Sequence, residues 1–146
     1  MFGEFRLWNI KEETWMEKES LGAYAISSKG ILLASNRKTS PDESTYTPLL
    51  GLNKDVAVEF CIGRKDNDGK DVYVGDIIYY KEPDTSILEG SEMYLIIKYD
   101  EETASFRGVS EWWGAMPIHD DVTMLVVGNI HDNPELIEYV KKGVMP

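Results

Sequence analysis

With 146 residues, of which 42% are hydrophobic and 11% aromatic, the chain carries enough apolar side chain for one core and too much for a disordered polymer. Its formal net charge of −11, spread along the sequence, repels phosphate backbones and argues against nucleic-acid binding. A single cysteine excludes an intrachain disulfide, and neither a basic-then-apolar leader nor a run of about 18 apolar residues is present, so the expected compartment is the cytoplasm.

Phe5-Arg6-Leu7-Trp8 alternates, and Thr14-Trp15-Met16 can answer it across Lys11-Glu12-Glu13, which predicts an opening hairpin. Ala23–Ile26 and Ile31–Ala34 flank Ser27-Ser28-Lys29-Gly30, a second hairpin with Gly30 at the turn. The polar stretch from Asn36 to Pro48 reads as a long loop. Val56–Ile62 is β-rich and largely apolar, a central strand.

Asp68-Gly69 then lies between two β-prone segments, the strongest short-range hairpin signal, because the turn needs positive φ and glycine adopts it cheaply. Gly75-Asp76 reads as a bend inside a long strand pair, its carboxylate within reach of nearby backbone N–H groups. Met93–Tyr99 and Ala104–Arg107 make a third hairpin after a polar loop from Pro83 to Glu92, and Val122–Val127 is a further strand.

Only the end of the chain has helical signals. Asn133 suits an N-cap, Pro134 the first helical position and Gly143 a C-terminal cap, with Leu136, Ile137 and Val140 on one face. About ten residues are too few for a stable isolated helix, so that face must dock. The pattern predicts one mostly-β domain over 1–146. Its sheet is either a small coiled sheet or an SH3-like barrel built from hairpins, followed by one short C-terminal α-helix.

Chemistry-bearing groups are sparse. His119-Asp120-Asp121 and His131-Asp132 pair imidazole with carboxylate, a combination that suits divalent metals. Both fall in strand or loop context and read as polar loop residues. Asp66-Asn67-Asp68-Gly69 resembles a calcium loop only superficially: with Gly69 at the sixth position, Arg64 and Gly75 occupy the first and twelfth, where carboxylates are needed. Cys61 sits in an apolar strand and reads as a small buried hydrophobe. No catalytic residue, cofactor site or metal site is expected. Trp112-Trp113 is different. Adjacent residues of a strand face opposite sides, so one indole is a candidate for an interface.

Three segments together resemble the YopX family, found in phages and prophages: Phe5-Arg6-Leu7-Trp8-Asn9, Gly63–Ile78 and Val127–Leu136. They stand in the family's order at the start, middle and end of the chain. Arg64 and Val74 depart from the pattern, which usually has Leu and Glu there. The resemblance implies a largely β, self-associating protein of phage or prophage origin, and it carries no catalytic residues. The expected function is that of a non-enzymatic accessory module that self-associates or binds a phage or host protein. Candidate interface residues are Trp112, Trp113, Leu136, Ile137 and Val140, while Asp68, Gly69, Gly75 and Asp76 form a structural turn motif. A small-barrel nucleic-acid-binding module is the alternative, and an enzyme of unrecognised type the second.

Overall fold

Period-two burial organises the C-terminal part of the molecule. In the strand Glu92–Asp100, Met93, Leu95 and Ile97 are fully buried, while Tyr94, Ile96 and Lys98 take the opposite face. The computed structural model describes residues 5–16, 24–26, 32–36, 45–48, 56–84, 88 and 90–146. These fall into two compact units, Phe5–Glu59 and Phe60–Pro146. Nothing in composition marks the boundary, which lies inside a strand, so the sequence offers no linker there.

In the first unit, β1 (Phe5–Asn9) pairs with β2 (Thr14–Trp15) antiparallel, with Trp8 opposite Trp15, the predicted opening hairpin. The two indoles meet edge to face at 4.9 Å, and the Arg6 guanidinium lies 4.5 Å from the Trp15 ring centre. Arg6 also donates to Glu59, whose buried carboxylate would otherwise be costly. Leu7 and Val56 form a small core with Phe5, Met16 and Val58.

The second hairpin is present as β3 (Tyr24–Ile26) and β4 (Leu32–Asn36), with Ala25 opposite Leu33; its Gly30 turn lies outside the described residues. The expected loop from Asn36 to Pro48 needs correction. Its last four residues form β5 (Thr45–Pro48), which pairs along β4 as the edge of a 3-stranded sheet. Thr-Tyr-Thr has β propensity but no apolar alternation, and Pro48 is tolerated because the strand is at an edge.

In the second unit, β6 (Val56–Lys65) reaches its C-terminal end and turns back through Asp66–Lys70 into β7 (Asp71–Tyr73). The chain then changes sheet at Val74-Gly75. Gly75-Asp76 is therefore no bend inside one strand pair, because β8 (Asp76–Lys81) belongs to a 5-stranded antiparallel sheet. Its order is β11 (Gly114–Pro117), β10 (Ser105–Ser110), β9 (Glu92–Asp100), β8 and β12 (Thr123–Asn129). The β9–β10 hairpin is the predicted one; the β10–β11 hairpin was not read from the sequence.

Val72, Ile78, Tyr80, Met93, Leu95, Ile97, Val122 and Met124 make the main core, each worth roughly 1.5–3 kcal/mol of apolar burial. Ile62, Val74, Trp113 and Met116 pack at its margin. The helix is shorter than expected: Pro134–Leu136 is a 3-10 turn and only Ile137–Lys142 (α1) is α-helical. Asn133 does not cap it through its side chain, which is committed to the preceding turn. Mostly β with one short C-terminal helix is the architecture of the described residues.

Candidate functional site

The Asp66–Lys70 turn is built around one carboxylate. Asp66 Oδ1 accepts the backbone N–H groups of Asp68 and Lys70 at 2.9 Å, and Oδ2 accepts that of Val126, 60 residues away, at 2.9 Å. Burial pushes this carboxyl up, but the N–H groups of Val126, Lys70 and Asp68, with the charge of Lys70, prevail and hold it below the usual carboxylate range. Asn67 completes the contact: its N–H donates to Met124 O and its Oδ1 accepts Met124 N–H. The turn thus covers the free edge of β12, which would otherwise present unpaired backbone groups. Gly69 closes it with a φ of 83°.

A second polar network lies at the sheet-changing bend. Asp76, 1% exposed, accepts Tyr73 N–H on Oδ2 and the Asn129 amide on Oδ1, while Gly75 donates to Ile97 O and accepts from Ile130 N–H. Asn129 in turn accepts His131 N–H, and its own N–H donates to Asn133 Oδ1. The Gly75-Asp76 and Gly128–Asn133 segments are therefore parts of one hydrogen-bonded junction. Their polar residues satisfy buried backbone and leave little chemistry free.

Each histidine has its own setting. His119 Nε2 lies 3.8 Å from the buried carboxylate of Glu82, which accepts the Tyr80 hydroxyl at 3.0 Å. Burial, and then the Glu82 hydrogen bond, push the Tyr80 phenol well up. Arg64 donates to the carbonyls of Ile118 and His119, pinning this loop to β6, a contact no leucine at that position could make. His131 belongs to the junction before the helix. Among the described residues no group of three or more His, Cys, Asp and Glu side chains is placed to hold a metal.

Trp112 and Trp113 occupy the β10–β11 turn rather than a strand, so the opposite-faces argument does not apply to them. Ser110 organises this turn. Its buried hydroxyl donates to Val140 O in α1 at 2.6 Å and accepts the N–H groups of Trp112 at 3.1 Å and Trp113 at 3.3 Å. That uses one donor and both lone pairs of a hydroxyl. Trp113 folds back onto the core, with its indole N–H buried. Trp112 stays 70% exposed and lies against Gly143, where a Cβ would fall 2.4 Å from the ring.

Gly143 is left-handed, with φ 67°, and its N–H donates to Tyr139 O as the helix cap. Val144 and Met145 follow it, 49% and 37% exposed. Of the other interface candidates, Val140 is buried and Leu136 and Ile137 are half-buried. The ends of the hairpin and the helix thus present one accessible indole, fixed in place by a buried serine.

A mostly-β chain with two polar junctions and a presented tryptophan is the class these observations define. A family model described as "YopX protein" matches residues 4–138. The chain belongs to the YopX family. Protein EF1440 from Enterococcus faecalis has a similar fold, with a TM-score of 0.57 at 23% identity over 92% of this chain and 96% of that one. The protein yopX from Bacillus subtilis is similar too, with a TM-score of 0.57 at 21% identity over 93% of this chain and 98% of that one. No curated protein matches the sequence. The resemblance of the three motif segments thus extends to the family as a whole.

Proposed function

We propose that the protein is a non-enzymatic accessory module of phage or prophage origin that self-associates through the tryptophan turn. The observation that carries this reading is the 70% exposed indole of Trp112, held on Gly143 with Val144 and Met145 beside it. A ring left at the surface gains no burial energy on folding, and tryptophan is enriched among the anchoring residues of interfaces. Isologous dimers are the commonest homo-oligomers, and a two-fold contact would bury the ring on both chains.

Such a contact must be apolar at its centre, with the carboxylates of this −11 chain at its rim. The charge also works against the nucleic-acid alternative. The polar groups of the two junctions are engaged in backbone hydrogen bonds, which supports a structural over a catalytic role for them. Light scattering tests the proposal: a mass above that of one 16.6 kDa chain supports it, and a monomer mass at tens of micromolar contradicts it.

A further inference from the structure

On the outer face of the 5-stranded sheet, α1 is too short to cover the apolar surface on which it lies. Ile96 and Val109 are direct cross-strand partners in β9 and β10. Ile96 lies on the face opposite the buried Leu95 and Ile97. Together with Ile130, Ile137 and Val140 they wall a groove of about 300 Å³. That volume is at the small end of ligand sites, which combine apolar walls with a few polar groups.

The rim has a definite sign. Lys98 and Lys141 both line the groove, against one carboxylate, Glu111. Among the described residues neither lysine is ion-paired, although acidic residues outnumber basic ones by 26 to 15 in the chain. An apolar trough edged by two ammonium groups complements a molecule that is apolar along its body and anionic at one end. The ammonium groups would meet the charge at the surface, where it keeps part of its hydration, and the chain would displace poorly held water from the trough.

We propose that this groove binds a small amphipathic carboxylate, its apolar chain against Ile96, Val109 and Ile137 and its carboxylate between Lys98 and Lys141. The inference is independent of self-association, since it uses the groove and not the Trp112 indole. Octanoate and 1-octanol serve as probes, titrated into 15N-labelled protein while backbone amide shifts are followed. Octanoate is expected to move the amides of Ile96, Val109 and Ile137 saturably, and 1-octanol to bind more weakly. The Lys98→Gln/Lys141→Gln double variant should weaken octanoate about tenfold and leave 1-octanol unchanged. Both lysines are exposed, so the variant keeps its fold, and its melting temperature verifies this. Absence of saturable shifts at these residues would overturn the proposal. So would equal affinity for the acid and the alcohol, or octanoate binding that the double variant does not change.

Discussion

Asp66 shows how one side chain can fix a turn and a strand edge together. Its three N–H donors come from Asp68, Lys70 and Val126, so removing the charge weakens both the local turn and a contact 60 residues away. Because the folded carboxyl lies below its ordinary value, its contribution is fully present above the unfolded pKa of about 4 and is lost as pH falls through the folded value. Asp66→Asn should therefore be less stable than the parent at neutral pH, and the difference should shrink below about pH 4. Urea midpoints measured at several pH values would reveal this convergence, and a pH-independent gap would count against it. At Gly69, φ is 83° and a Cβ would meet nothing within 4 Å, so backbone strain is the only cost of a side chain. Gly69→Val should lose about 1–2 kcal/mol in a thermal melt, and an unchanged curve would remove the strain argument. The Gly69 turn was legible because Asp-Gly is a local signal. Asp66's role was not, because its decisive partner is distant in sequence.

The hairpin from β10 to β11 and α1 form a unit joined by the Ser110 hydroxyl. Ser110→Ala removes a donor to Val140 O and an acceptor for two tryptophan N–H groups, leaving buried backbone unsatisfied. A loss of about 1–3 kcal/mol is expected. Amide exchange should quicken in α1 and at Trp112-Trp113 before it does in β8 and β9, whereas a uniform change would show that the serine is not a local clasp. Legibility at this scale followed runs of apolar, β-prone residues. Strands with them, such as β6, β9 and β12, stood out. Those without them did not: β5 is Thr-Tyr-Thr-Pro, and β11 is Gly-Ala-Met-Pro, an edge strand entered through a left-handed Gly114. Asn133 looked like a helix cap because its neighbours Pro134 and Glu135 fit one; its side chain went instead to Asn129, and a 3-10 turn took its place.

At the scale of the molecule, two of the three motif segments meet in one hydrogen-bonded junction. Gly75-Asp76 and Gly128–Asn133, far apart in sequence, meet through Asp76, Asn129 and Asn133. Their residues carried the resemblance to the family, but their mutual contact could only appear in three dimensions. The candidate site was half legible: Trp112-Trp113 drew attention by composition, but which indole is exposed depends on Ser110 and Gly143. We propose that Trp112, 70% exposed, serves association rather than folding. Sedimentation velocity at tens of micromolar on the parent and on Trp112→Ala tests it most directly. The parent is predicted to sediment as an oligomer of the 16.6 kDa chain and the variant as a smaller species with a near-parental melting temperature. A monomeric parent, or an oligomer indifferent to Trp112→Ala, would contradict it.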